Sequence, residues 1–254
     1  MENTIQKPTL GEVVAAKIMY LPNEGLIFNA QRFGPMNFEG LRQANYGFGF
    51  RMATMPELVP LVYTSLENQT YESAKNVINA LRNHWLTGNT GILYVPKGMF
   101  VQDNPALENG RISMNQETLE DRLGSYQERG VFFSDDRKIR FVPYGFKRES
   151  QKASVLSENP GIIALTGSEK NAEKLARASD CYRANPSLWT LDKTNSPEIR
   201  VASLYSDSDD IDGGLNICAS HSENCGNRFS FGIWDKETEF HFLGDDPAKK
   251  QLVF

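Results

Sequence analysis

The amino-acid sequence predicts an α+β domain, and three observations carry that reading. The front two thirds mix helical and strand segments without repeating βαβ units. From near Leu188 onward the chain runs as short strands divided by turn-rich loops. Its 40% hydrophobic and 23% charged residues are those of a globular protein with a sizeable core. At 254 residues the chain suits one large domain that needs no disulfide staple.

Taken in order, residues 11–20 (GEVVAAKIMY) read as a short helix. Residues 56–66 open on Pro56, which favours a first helical turn, and Pro60 is expected to bend or shorten that helix. A helix over 71–87 follows from Ala74, Val77, Ile78, Leu81, Trp85 and Leu86, spaced by threes and fours, with Gly88 as its stop. Next come a strand at 91–96, a polar helix over 115–128 ending near Gly130, and strands at 131–134 and 138–144. Ile162–Leu165 reads as a further strand, and 168–180 as a helix with Ser168 at its N-cap. The last strands are SLWTL, IRVASLY, LNICAS, RFSFGIW and EFHFL.

The net charge of −5 gives no support to a nucleic-acid partner. The N-terminal residues show neither a basic start nor a long apolar run, so no signal peptide and no membrane insertion are expected. That places the chain in the cytoplasm or on a virion. Cys181, Cys218 and Cys225 are too few for a disulfide framework.

The informative stretch is VASLYSDSDDIDGGLNICASHSENCGNRFSFGI, residues 201–233. It holds six Ser, four Asp, four Gly and three Asn. Lys, Gln, Met and Trp are absent from it, and Glu223 is its one Glu, although these five types make up 51 of the 254 residues. None of the five has a codon ending in a pyrimidine. An AAC or AAT codon randomised at its two adenines yields Ser, Asp, Asn, Gly, Tyr, His and Cys, but none of them. The stretch therefore looks like a product of adenine-targeted mutagenesis. Tyr, Ser, Gly and Asn are also the residues of adaptable binding surfaces. The framework stays patterned: Leu215, Ile217 and Ala219 alternate with Asn216, Cys218 and Ser220, which puts the first set inward and the second outward. Phe229, Phe231 and Ile233 repeat the pattern.

The chain resembles the variable proteins of archaeal diversity-generating retroelements, found in archaea and their viruses. The stretches that carry the resemblance are GFGFRMATMPELVPLVYTSLENQTYESAKNVINALRNHWLTGNTGILYVPKGMFVQDNP (47–105), IRFVPYGFK (139–147), NPGIIALTGSEKNAEKLA (159–176), LWTLD (188–192), RVASL (200–204) and FGI (231–233). The resemblance implies a C-type-lectin-like fold of the formylglycine-generating-enzyme type, with helices packed on short antiparallel sheets and a loop-rich C-terminal third. Arg51 to Leu58 look like that superfamily's R-L-P-T-E-A-E-W stretch, with Ala53 for its Pro and Leu58 for its Trp. Residues 1–46 would form an N-terminal element of the same domain, and 47–254 the lectin-like domain.

By this resemblance the displayed, ligand-binding positions are Tyr205, Asp207, Ser208, Asp209, Asp210, Asp212, Asn216, Cys218, Ser220, His221, Ser222, Asn224, Cys225 and Asn227. Arg200, Val201, Leu204, Leu215, Ile217, Phe231 and Gly232 are scaffold, and Glu223 is a fixed position that departs from the codon rule. The implied function is non-catalytic recognition of an unidentified ligand, a protein or cell-surface molecule. The alternative is an oxidoreductase like the formylglycine-generating enzymes, using Cys218 and Cys225. No cofactor and no metal are expected. SDSDDIDGG puts Ile211 where a calcium loop needs its third ligand. His84 reads as structural. Residues 201–233 carry five acids and one Arg, so this copy's display is acidic and suits a basic or hydrogen-bond-donor-rich ligand.

Overall fold

A computed structural model describes residues 8–13, 17–206 and 213–235, and the backbone of 241–243 and 251–253. The chain opens on strands β1 (Gly11–Val13), β2 (Ile18–Leu21) and β3 (Leu26–Met36), paired antiparallel. The expected helix over 11–20 is therefore two strands. Ile18, Met19 and Leu21 of β2 are all buried, and its antiparallel pairing to β1 and β3 settles the segment as strand.

Helix α1 (Phe38–Gln43) is capped by Asn37, and β4 (Phe50–Met52) leads into α2 (Met55–Glu67). Thr54 and Glu57 form a reciprocal capping box at the start of α2. Pro60 lies within α2, which continues past it to Glu67, so it does not shorten the helix. Proline has no N–H for the Pro56 carbonyl four residues back. Asn171 supplies one instead, donating Nδ2–H to the Pro56 oxygen at 3.0 Å.

Helix α3 (Glu72–Asn83) stops before Trp85, and strand β5 (Trp85–Val95) follows at once. The expected helix over 71–87 ran too long. Ala74, Val77, Ile78 and Leu81 form its buried stripe. Trp85 and Leu86 instead pair with Arg228 and Phe229 of a later strand. Gly88 sits inside β5, and its role is close approach. A Cβ there would lie 2.5 Å from the Met55 nitrogen, so glycine lets the start of α2 rest on the strand.

The middle of the chain gives β6 (Gly98–Asp103), the hairpin β7 (Ala106–Glu108) and β8 (Arg111–Ser113), then the short α4 (Gln116–Asp121). The helix expected over 115–128 ends early because Gln127–Glu128 (β9) pairs with β10 (Val131–Phe133). β10 pairs in turn with β11 (Ile139–Pro143), close to the expected strands. After β12 (Glu149–Ser150) and α5 (Ala153–Leu156), Ile162–Leu165 lie in helix α6 (Pro160–Thr166), not in a strand. End signals decide it. Asn159 accepts from the Gly161 N–H at 2.9 Å, Pro160 fills the first turn, and Gly167 closes the helix at φ 82°. Helix α7 (Glu169–Ser179) has Ser168 as its N-cap, accepting from the Asn171 N–H at 3.1 Å.

The C-terminal third supplies β13 (Ser187–Trp189), β14 (Glu198–Ser206), β15 (Leu215–His221) and β16 (Arg228–Trp234), with β17 (His241–Leu243) paired to β18 (Gln251–Val253). The main sheet runs β1-β2-β3-β16-β5-β14-β15-β13-β12, with β6 and β11 extending from β5. Helices α2, α3, α6 and α7 cover one face. The core lies between, where Leu58, Val62, Val77, Leu81, Ile163 and Leu175 meet Leu86, Leu204, Ile217 and Phe231.

Candidate binding face

In a strand ladder, directly paired residues point to the same side of the sheet. Leu204 pairs with Ile217 and with Leu86, and Ile217 with Leu188, and all four are buried in the core. Their neighbours along the strands therefore point the other way. Those are Ser203 and Tyr205 of β14, Asn216 and Cys218 of β15, Trp85 and Thr87 of β5, and Trp189 of β13.

On this second face the Trp85 ring lies 4.1 Å from Tyr205 and 3.9 Å from His221, nearly edge-on to the latter. Such tilted arrangements suit aromatic quadrupoles. The His221 Nδ1 is 2.9 Å from the Cys218 sulfur. Burial, and then the nearby Arg228 guanidinium, hold the His221 imidazole below its ordinary range, so it is neutral at neutral pH. At the far edge Trp189 is 48% exposed, yet its Nε1–H donates to Asn216 Oδ1 at 2.8 Å.

Arg228 lies beneath the face, fully buried. It donates to Ser203 Oγ at 2.8 Å, to Thr87 Oγ1 at 3.2 Å and to the Ser222 carbonyl at 2.6 Å. Burial lowers its pKa, with the two cysteines Cys225 and Cys218 acting the other way. One side chain thus ties β16 to β5, to β14 and to the loop 222–227. Glu223 fixes the same loop from its other side. Its carboxylate accepts from the Ile112 N–H at 3.0 Å and its carbonyl from the Phe38 N–H at 3.1 Å. That gives a packing reason for the one residue of the segment that breaks the codon rule. The loop closes where the Trp85 N–H donates to the Asn227 carbonyl at 3.2 Å and His84 Nδ1 meets Asn227 Oδ1 at 2.9 Å.

The structure brings Tyr205, Asn216, Cys218, Ser220 and His221 to one side of the sheet, next to the loop bearing Ser222, Asn224, Cys225 and Asn227. Ser222, Asn224 and Asn227 are exposed; Tyr205, Ser220, His221 and Cys225 are half-buried. The alternation expected along β15 holds, but Asn216 and Cys218 do not reach solvent. They are 2% and 1% exposed, bonded respectively to Trp189 and His221. Asp207, Ser208, Asp209, Asp210 and Asp212 lie outside the described residues. Val201, Leu204, Leu215, Ile217, Phe231 and Gly232 are buried, as expected of scaffold, and Arg200 is half-buried. Sequence reasoning did not place Trp85 or Trp189 on this face. A tryptophan opening a strand is indistinguishable from one closing a helix when only its spacing is read.

Cys181, Cys218 and Cys225 are all free thiols. Among the described residues, no three of His, Cys, Asp and Glu gather to hold a metal. No helix among them is long and apolar enough to cross a membrane. Two cavities, of about 430 and 510 Å³, lie elsewhere, one beside Glu12, Lys17 and Ser73 and the other beside Tyr144, Phe146 and Gln151. On the face around Trp85 and Trp189, Thr87, Ser203, Asn216 and Cys218 are buried, Trp85, Tyr205, Ser220 and His221 are half-buried, and Trp189 is exposed.

Sheet order, helical cover and a loop-bearing strand face together define a lectin-like scaffold, and a solved structure agrees. It is described as the accommodation of massive sequence variation in Nanoarchaeota by the C-type lectin fold. The match covers 80% of this chain and 96% of that one, with a TM-score of 0.51 and 16% identity. The chain has the C-type lectin fold. No protein-family model and no curated protein sequence matches it.

Proposed function

We propose that this is a non-catalytic ligand-binding protein whose residues 201–233 are diversified by adenine-targeted retroelement mutagenesis. The changeable surface rides on a fixed C-type lectin scaffold. One observation supports the reading: Tyr205, Asn216, Cys218, Ser220 and His221 gather on one sheet face beside the loop bearing Ser222, Asn224, Cys225 and Asn227, while Leu204, Leu215, Ile217 and Phe231 enter the core. A fold built so can change its surface without changing its packing. The solved neighbour is itself described as accommodating massive sequence variation, which supports the same use of the fold. The ligand is a protein or cell-surface molecule.

The cysteine-based oxidoreductase is the weaker reading, because Cys218 is 1% exposed and its sulfur is engaged with His221. The deciding experiment is on the gene. The coding DNA of residues 200–235 is expected to have a nearby imperfect repeat that differs only at adenines, beside a reverse transcriptase gene. A complete genomic neighbourhood without such a repeat would falsify diversification.

A further inference from the structure

We propose that the cavity beside Tyr144, Phe146 and Gln151 is a second binding site, for a small apolar molecule that carries a neutral carbonyl group. None of its lining residues falls in 201–233, so the site stands apart from the proposed variable segment. Three elements and a connector build the wall. Val142 and Pro143 end β11, Phe146 follows them, Val155 lies in α5 and Pro160 opens α6. The cavity holds about 510 Å³, within the range of small-molecule pockets. Val155 is 42% exposed, an apolar side chain of the wall that a ligand would cover.

Two hydrogen-bonding groups of the lining lack partners. The neighbours of Gln151 settle which way its amide turns. Asn159 Oδ1 accepts from the Gly161 N–H at 2.9 Å, which leaves Nδ2 as the other end of that side chain. Nδ2 donates to the Lys147 carbonyl at 2.7 Å and to Gln151 Oε1 at 2.9 Å. Gln151 Nε2 is therefore the end turned away from Asn159. It finds no acceptor among the described residues, although Gln151 is only 2% exposed. The Tyr144 hydroxyl has no partner among them either. Both side chains line the cavity. A donor shut off from water is costly to leave unpaired, and a hydrogen bond made in such a place is stronger than one in water.

The ligand class follows from these groups. An amide nitrogen can only donate, and a phenol can donate as well. Two donors in an apolar wall call for one acceptor on an apolar body. Lys147 and Glu158, both exposed and of opposite sign, give the lining no net charge. A carboxylate would meet Glu158 as well as Lys147. A ketone or amide oxygen satisfies the donors and brings no charge to desolvate.

The test titrates the full chain with three probes and reads binding from amide and methyl NMR spectra. Acetophenone carries the carbonyl, ethylbenzene has nearly the same shape without an acceptor, and benzoate is charged. Acetophenone is expected to shift the Gln151 side-chain amide protons and the Val142 and Val155 methyls. It should bind about ten-fold tighter than ethylbenzene, the margin of one hydrogen bond. Tyr144→Phe removes a hydroxyl that has no protein partner, so the melting temperature should hold while acetophenone affinity falls several-fold. Gln151→Met keeps the side-chain length, drops the donor and gives up one bond from Asn159. It should bring acetophenone down to the level of ethylbenzene and leave ethylbenzene unchanged, a split that a general loosening of the fold would not produce. Equal affinity for acetophenone and ethylbenzene, or acetophenone affinity untouched by both variants, overturns the role of the two donors. Benzoate binding tighter than acetophenone overturns the neutral ligand class. No binding of any probe up to its solubility overturns the site. Each of these failures leaves the proposed function of residues 201–233 standing.

Discussion

Arg140 is 1% exposed, and its guanidinium is held in two-pronged fashion by Asp103, which also accepts from Thr90 Oγ1 at 2.7 Å. Thr90 accepts in turn from the Met55 N–H at the start of α2, at 2.9 Å. Removing the carboxylate strands a buried cation. Asp103→Ala should therefore cost about 3–5 kcal/mol, read from urea unfolding. Asp103 and Arg140 lie 37 residues apart, and no local pattern marks them as partners. Glu57 is closer to legible, since it falls within the RMATMPEL stretch, although its role there was not. Burial pushes its carboxyl up, but Arg51 and Thr54 more than reverse this and leave it below the usual carboxylate range. A depressed folded pKa gives stability that is present above the unfolded pKa and lost as pH falls through the folded one. The stability advantage of the native protein over Glu57→Gln should thus be full at pH 7 and shrink below about pH 4.3, the ordinary Glu value. A difference in urea midpoint that stays constant down to pH 3 would contradict the assignment.

Elements were legible where several signals agreed and illegible where one signal stood alone. Helix α7 combined an N-cap serine with amphipathic spacing, and its position was read correctly. Residues 162–165 offered four apolar residues that suit a buried strand or a buried helix equally, and the caps Asn159 and Gly167, outside that window, made the choice. Trp85 and Leu86 fitted the period of α3, but pairing on both sides of β5 outweighed it. The candidate face shows the same limit. Codon chemistry picks out the residues expected to vary, while Trp85 and Trp189 reach the face through pairings of distant strands that no local spacing encodes. Long-range support also explains how α2 passes through Pro60. Asn171 donates one amide hydrogen to the Pro56 carbonyl and the other to the Thr166 carbonyl, at 3.0 and 2.9 Å. Asn171→Ala leaves both carbonyls short of a donor and should cost about 1–3 kcal/mol. A cost confined to α7, with amide exchange in α2 unchanged, would show that the two helices are not coupled through this side chain.

At the scale of the whole molecule, the fold separates residues that fill the core from residues on the opposite face of the sheet, and the separation runs through adjacent positions of the same strand. Ile217 fills the core while Cys218 and Asn216 on either side support rings on the far face. The 222–227 loop between β15 and β16 is clamped by Arg228, Glu223 and the Trp85 N–H. Its exposed side chains Ser222, Asn224 and Asn227 add little to that clamp. The clamping groups are the Ser222 carbonyl, the Glu223 carbonyl and carboxylate, and the Asn227 carbonyl; Asn227 adds one side-chain contact to His84. Three grades of tolerance follow. Exchanges of Ser222 or Asn224 among Ser, Asn and Asp should each move stability by no more than about 0.5 kcal/mol. Asn216→Ala should cost about 1 kcal/mol or somewhat more, because it frees a bonded amide under the Trp189 ring. Ile217→Ala should cost about 2–5 kcal/mol through the cavity it leaves. Melting curves of these variants measure the grading directly. If Ser222 and Asn224 proved as costly as Ile217, the loop would be part of the scaffold, and a surface meant to change would have no place to do so.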